Sequence, residues 1–314
     1  MNPYTFLVGA ARSGTTLLQR MVDAHPQIAI TPESAWISRY KSEGLAPEDP
    51  VTRAVIDRLA DDPWFQLMGI SREELDALVA SAPGLTYVPF VRAIFDLYGR
   101  KQAKALVGDK TPSYVRAIRK LHRLFPQTRF AHIIRDGREV CLSVLHWDKG
   151  PRVVGRFATW SDDPVSTCAL WWEWSVRRGR EAGDTLASRL YHELRYDDLV
   201  NYPEETCAAL CRFLELPYDS AMVRFHEGRI QFEPGLDAKD AWLPVTAGLR
   251  DWSRQMSAED VERFEATAGD LLDELGYPRC VPHPSASAQR WARELRERFS
   301  EDAVGKGSPL PRRW

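Results

Sequence analysis

The sequence predicts an α/β fold, a central parallel β-sheet flanked by helices on both faces, with helical insertions. Three observations predict it. Short apolar runs of strand length alternate with longer stretches whose apolar residues recur at helical spacing. The best-defined run, Arg129 to Ile134 (RFAHII), is of strand length and mostly apolar, as expected of a strand in a covered sheet. The first run leads through a glycine-bounded loop into a helical pattern, the unit from which such sheets are assembled.

The elements follow in order. Tyr4 to Val8 reads as a short buried strand, Gly9 to Gly14 as a loop, and Thr15 to Ala24 as a helix carrying Leu17, Leu18, Met21 and Val22. His25-Pro26 ends that helix, because a residue before proline avoids the α region. Ile28 to Ile30 is a second strand. Residues 34 to 104 read as several helices, and Ala105 to Gly108 as a third strand. Pro112 to Leu124 is helical, Arg129 to Ile134 the fourth strand, and Gly137 to Trp147 a helix. Residues 148 to 164 are mixed and polar, which predicts a mobile surface segment. Val165 to Leu186 is a long helix with Trp171, Trp172 and Trp174, which read as core packing rather than an acceptor surface. Leu190 to Arg195 is a further strand, followed by a helix from Pro203 to Leu214. A main domain is expected over residues 1–280. Residues 281–314 form a C-terminal extension, with a basic helix from Ser285 to Phe299 and a loose tail. A solvated face is expected for that helix, with a homodimer or membrane-surface contact as the alternatives.

A chain of 314 residues, 44% hydrophobic, can bury a large core. Its net charge of −2 argues against nucleic acid as a partner, since phosphate-binding surfaces of that kind carry a strong positive excess. No apolar run approaches the ~18 residues of a membrane span. No basic stretch followed by an apolar one marks a signal peptide. The expectation is a cytoplasmic protein without stable membrane insertion. Five cysteines at 141, 168, 207, 211 and 280 complete no metal-ligand pattern and read as buried small hydrophobes.

The loop after the first strand is Gly9-Ala10-Ala11-Arg12-Ser13-Gly14-Thr15-Thr16. A glycine pattern between a strand and a helix is a phosphate-binding candidate, because loop N–H groups and the positive helix end converge on an anion. The spacing makes the sheet P-loop-like, but Thr15 stands where a nucleoside-triphosphate site needs its lysine. The cation is Arg12, inside the loop. Arg12, Ser13, Gly14, Thr15 and Thr16 are therefore the first candidate nucleotide-binding set. They suit a group less charged than a triphosphate, held without metal.

Arg135 closes the fourth strand, at the sheet edge where α/β proteins bind ligands. Its planar fork suits a dianionic phosphate, and Ser143, about two helical turns on, adds a hydroxyl. Arg138 and Glu139 read as solvated charges.

The stretches FLVGAARSGTTLLQRMVDAHPQI and RFAHIIRDGREVCLSVLHW together resemble the sulfotransferases that use 3′-phosphoadenosine 5′-phosphosulfate (PAPS), most of all tyrosylprotein sulfotransferases and related bacterial enzymes. The resemblance implies a 5′-phosphosulfate loop in the first stretch and a 3′-phosphate site in the second. Gly108-Asp109-Lys110-Thr111-Pro112 resembles the segment that carries a lysine beside the transferring group. Leu194-Arg195-Tyr196-Asp197-Asp198-Leu199 resembles an element whose tyrosine lies near the nucleotide. Arg250, in Leu249-Arg250-Asp251-Trp252, resembles the late basic residue that closes over the 3′-phosphate. Leu275-Gly276-Tyr277 resembles the domain end. Trp147 and the spacing of the basic residue before Trp252 depart from the tyrosylprotein enzymes, and no membrane anchor is visible.

By this resemblance Glu33, in Thr31-Pro32-Glu33-Ser34, is the catalytic base for an acceptor hydroxyl. An acid at a helix start, with Ser34 or Thr31 as cap, is the other reading. Lys110, expected to open a helix, and Arg12 would stabilise the moving sulfonate. His25, His132 and His146 are rival bases. The implied reaction is in-line sulfonate transfer from PAPS to a hydroxyl of a small-molecule, sugar, lipid or peptide acceptor, without metal. The alternatives are a P-loop small-molecule or nucleotide kinase and a non-catalytic nucleotide-binding protein.

Overall fold

Five strands, β1 (Thr5–Val8), β2 (Ile28–Thr31), β3 (Leu106–Lys110), β4 (Arg129–Ile134) and β5 (Tyr191–Arg195), form one sheet in the order β2-β3-β1-β4-β5. This is a computed structural model that describes residues 3–38, 46–227 and 251–305. β1 pairs in parallel with β3 and with β4, and β2 in parallel with β3. The alternation of strand and helix in the sequence enforces this, since parallel neighbours need a crossover of a dozen or more residues. From β1 the chain passes over β3 to reach β2, whereas from β3 it passes over β1 to reach β4. The carboxyl end of β1 is thus a topological switch point, where sheets of this class leave a crevice.

The described residues fall into two compact units, one made of 3–9, 14–38, 46–133 and 182–227, the other of 10–13, 134–181 and 251–305. The first unit holds the sheet, and side chains alternate between its faces with the period of two that a strand imposes. Phe6, Val8, Ala29, Val107 and Phe130 point to one face, under the helices Arg53–Ala60, Arg72–Ser81, Tyr87–Lys101 and Ile118–Leu124. Leu7, Ile28, Ile30, Ala131 and Ile133 point to the other, under the helices Thr15–Asp23 and Pro203–Leu214. Phe6 is fully buried among Phe95, Tyr114, Phe125 and Phe130. Truncating such a ring to alanine costs about 3–5 kcal/mol.

The second unit is organised by the helix Pro164–Gly183. Trp171, Trp172 and Trp174 are all buried there, so the aromatic run serves packing, as the sequence predicts. Segment 148–164 corrects an expectation. It is not a loose surface stretch: Val154, Phe157, Thr159 and Asp163 are buried, and Phe157 stacks on Phe299 with centroids 4.2 Å apart. Its polar composition hides two anchors, because Asp163 caps the following helix through Ser166 N at 2.9 Å and accepts from Trp291 Nε1 at 3.0 Å. The basic helix Ala286–Gly305 is amphipathic. Leu295, Phe299 and Ala303 enter the same core, Arg290, Arg293 and Arg298 are exposed, and the half-buried Arg296 pairs with Glu173 Oε2 at 2.7 Å.

Two further expectations are corrected. The stretch 112–124 splits into a 3₁₀ turn, Pro112–Arg116, and the helix Ile118–Leu124, because Ala117 leaves helical geometry between them. Lys110 ends β3 rather than opening a helix. Four of the five cysteines are buried and Cys280 is exposed; all are free thiols. Among the described residues, no helix is long and apolar enough to cross a membrane.

Candidate functional site

The switch-point loop begins at Gly9, where an added Cβ would stand 2.6 Å from Ile133 O, so only glycine lets β1 and β4 lie this close. Ser13 N donates to Ala10 O at 3.2 Å, closing a turn. Gly14 has φ 92° and its Cβ position is filled by the Tyr196 ring, 2.4 Å away. A side chain there would meet both steric and backbone strain. Arg12, with φ 72°, occupies the same left-handed region without glycine's freedom, the kind of local strain that functional loops hold.

The helix Thr15–Asp23 starts at Gly14 with no capping side chain and no acid in its first turn. Among the described residues its first N–H groups therefore have no intrahelical partner and no capping side chain, and its own first turn places no acid at the positive end. Ser13 is buried, and its hydroxyl makes no hydrogen bond among the described residues. A buried hydroxyl normally has a partner. Here the missing partner and the bare helix start fit the same ligand chemistry, a phosphate or phosphosulfate group. Thr15 is buried and Thr16 half-buried on that first turn. Tyr196, buried, opens the helix after β5 and packs on Gly14.

The second unit carries the other cations. Arg12 Nε donates to Ser143 Oγ at 3.0 Å, and its guanidinium lies 5.0 Å from the centre of the Trp147 ring. Arg135, nine-tenths buried, donates from Nη1 to Arg12 O at 3.4 Å and pairs through Nε with Glu139 Oε2 at 2.6 Å. Its own carbonyl accepts from Trp172 Nε1 at 3.2 Å. Arg12 is thus brought into one hydrogen-bonded group with Arg135 and Ser143, each more than a hundred residues further along the chain. Trp147 lies under Arg12, in contact with the cation.

Arg138 is not a solvated charge. It is fully buried and makes two bonds to Asp136, at 3.0 and 2.6 Å, one to Glu265 at 2.6 Å and one to Pro278 O at 2.9 Å. Its guanidinium stacks 3.6 Å from the centre of the Trp252 ring. Glu265 in turn accepts from the backbone N–H groups of Cys280 and Val281. Sequence reasoning missed this cluster because its partners lie 127 and 140 residues away. Arg250 lies outside the described residues.

The first unit holds an ion pair of Glu33 with Lys110. Glu33 Oε1 is 2.8 Å from Lys110 Nζ; the lysine side chain is 5% exposed and the glutamate 33%. The lysine is thus fixed while the carboxylate can still meet a partner from outside. Beside them Asp109 is fully buried and accepts from Thr31 Oγ1 at 3.0 Å. Burial pushes its carboxyl up to about 7. Hydroxyls of Ser34, Thr111 and Thr31 oppose the rise and the charge of Glu33 adds to it. Neither cap reading of Glu33 holds, for Ser34 and Thr31 bond to Tyr114 and Asp109 instead. The rival histidines are engaged: His25 with Pro217 O at 2.9 Å, His132 with the Tyr191 hydroxyl at 2.7 Å, and His146 with Leu142 O at 2.8 Å. Among the described residues no cluster of His, Cys, Asp and Glu is fit to hold a metal ion.

Comparison with known proteins gives the family and the fold. A protein-tyrosine sulfotransferase of Drosophila melanogaster is 24% identical over 307 residues, covering 93% of this chain and 55% of the fly protein. An omega-hydroxy-beta-dihydromenaquinone-9 sulfotransferase of Mycobacterium bovis is 28% identical over 199 residues, 62% of this chain and 46% of that protein. This chain thus spans about half the length of each of these two relatives. The sulfotransferase domain of the Synechococcus PCC 7002 olefin synthase shares the fold, with a TM-score of 0.59 at 22% identity over 88% of this chain and 95% of that domain. The sequence pattern described as the sulfotransferase family matches residues 3–220. That match starts before β1 and ends beyond β5, so it takes in every strand of the sheet, and the chain belongs to the sulfotransferase family.

Proposed function

We propose that this protein transfers a sulfonate group from PAPS to a hydroxyl of an organic acceptor. The observation that carries the reading is the loop: a buried Ser13 hydroxyl with no hydrogen-bond partner among the described residues, at a helix start without a capping side chain, preceded by Arg12. Ser13, Gly14, Thr15 and Thr16 hold the 5′-phosphosulfate. Arg135 and Ser143, with Arg250, hold the 3′-phosphate, and Tyr196 supports the loop through Gly14.

In the transfer step Glu33 takes the proton from the acceptor hydroxyl. The acceptor oxygen forms a bond to sulfur as the bond from sulfur to the bridging phosphate oxygen breaks. The electron pair leaves on 3′-phosphoadenosine 5′-phosphate. Lys110 and Arg12 offset the charge that grows on the sulfonate and the leaving oxygen. The 2.8 Å contact with Lys110 also aims the Glu33 carboxylate before the acceptor arrives.

Peptide and small-molecule acceptors both occur among the relatives' names. Trp147 and the spacing before Trp252 separate this chain from the tyrosylprotein pattern, so the acceptor class stays broad. A P-loop kinase is the weaker reading, since Thr15 replaces its lysine. The test is ³⁵S-labelled PAPS offered with a tyrosine peptide, a hexosamine, a phenol and a long-chain alcohol, read by mass spectrometry. Labelled product from any of them supports the reading. Tight binding of ATP with Mg²⁺, no binding of PAPS by calorimetry and no labelled product refute it.

A further inference from the structure

We infer that Asp109 is a positioning residue for the transfer step, because its buried carboxyl ties the turn that carries Glu33 to the strand end that carries Lys110. The inference rests on the reading of Glu33 as base and goes one step deeper into that site.

The tie begins in the sheet. Thr31, the last residue of β2, and Asp109, the fourth of β3, are direct register partners. Backbone pairing alone would end there, with the next residues of β2 free to diverge. The side chains extend it. Thr31 Oγ1 donates to Asp109 Oδ2 at 3.0 Å, Ser34 N to Thr111 Oγ1 at 2.8 Å, and Ile37 N to the Tyr114 hydroxyl at 3.0 Å. The Ser34 and Tyr114 hydroxyls meet at 3.1 Å. Glu33 therefore sits between two tethered residues, Thr31 and Ser34. Its side chain is delivered to Lys110, the residue that follows Asp109 in the chain.

A carboxyl is a costly choice for this position. It is fully buried, and a carboxyl removed from water with few partners disfavours the fold. An apolar side chain would relieve that cost but leave the Thr31 hydroxyl buried without an acceptor. What the carboxyl supplies is an acceptor at the first link of the tether. Misplacing a catalytic group by about 1 Å can cost on the order of a hundredfold in rate.

The experiment compares Asp109→Ala, Asp109→Asn and Glu33→Gln with wild type. Asp109→Ala removes the acceptor; Asp109→Asn keeps an acceptor oxygen and removes the charge. With labelled PAPS and the acceptor in the panel above that turns over fastest, Asp109→Ala should lose at least about tenfold in kcat while KM for PAPS stays within about twofold. Asp109→Asn should recover kcat to within about threefold of wild type. Crystal structures supply the second readout. In Asp109→Ala the Glu33–Lys110 pair should open beyond the ion-pair limit of about 4 Å, and in Asp109→Asn it should remain closed. An intact pair or unchanged kcat in Asp109→Ala overturns the inference, as does an Asn variant as impaired as the alanine one. If Glu33→Gln turns over like wild type, the base assignment fails instead, and the crystallographic comparison still decides whether Asp109 tethers the turn.

Discussion

Replacing Arg138 by methionine tests whether the buried charge cluster of the second unit is held by that one cation. The substitution keeps an unbranched stem that reaches as far as the arginine Nε and removes the charged guanidinium head. Asp136 and Glu265 then face each other's surroundings without a counter-ion, and both are buried, at 8% and 0% side-chain exposure. Glu265 retains two backbone donors, Cys280 N at 3.1 Å and Val281 N at 2.7 Å, so it is hydrogen-bonded but uncompensated in charge. Breaking a buried ion pair from one side costs about 3–5 kcal/mol. Losing the stack on Trp252 adds about 1–2 kcal/mol. The expected loss is about 5 kcal/mol, which lowers the midpoint of thermal unfolding by roughly 10 °C or more in a domain of this size. Urea unfolding at neutral pH, followed by tryptophan fluorescence, reads it directly. The double variant Arg138→Met/Glu265→Gln should regain part of the loss, because one stranded carboxylate is gone. A loss under about 1 kcal/mol, the range of an exposed pair, would refute the reasoning. So would a double variant no more stable than the single one.

The remaining predictions concern the site. Glu33→Gln should lower kcat by at least about a hundredfold, the usual contribution of a general base, with PAPS affinity by calorimetry nearly unchanged; near-wild-type turnover removes Glu33 from the mechanism. Arg135→Ala should weaken 3′-phosphoadenosine 5′-phosphate far more than adenosine 5′-phosphate, and equal losses for the two nucleotides count against a 3′-phosphate contact. Asp109→Asn should stabilise the protein in a pH-dependent way. The folded carboxyl titrates at about 7 against an ordinary value of 3.8, so wild-type stability falls as pH rises from about 4 to about 7 while the unfolded chain ionises. That difference between the folded and unfolded carboxyl corresponds to about 4 kcal/mol. Denaturant midpoints of the two proteins should nearly coincide at pH 4 and separate by pH 8, and a constant difference would contradict the assignment.

Much of the sheet was legible because its signals are local. Tyr4 to Val8, the glycine loop and the helix after it lie within twenty-four residues, and Arg129 to Ile134 is apolar enough to stand out unaided. Arg135 and Ser143 were readable from their position at a strand end and their eight-residue spacing. What sequence reasoning missed depends on partners far along the chain. Arg138 looks like any arginine beside a glutamate until Glu265 and Trp252 arrive to surround it. Phe157 sits in a polar stretch, and only Phe299 and Trp174 make it a core residue. Asp109 escapes notice because the apolar run of the third strand stops at Gly108. The clue is the strand's place in the sheet. β3 lies between β2 and β1, so any ionisable residue that continues it is buried on both faces.

The helix Ala286–Gly305 has a practical consequence for handling this protein. The family resemblance fades near Tyr277, which makes a stop codon soon afterwards look harmless. Yet Leu295, Phe299 and Ala303 are fully buried. A chain cut at the resemblance would bare the faces of Phe157 and Trp174, two large rings that then meet water or a neighbouring molecule. Shortened versions should therefore precipitate where the longer chain stays dispersed, and affinity tags belong beyond residue 305 rather than in place of this helix.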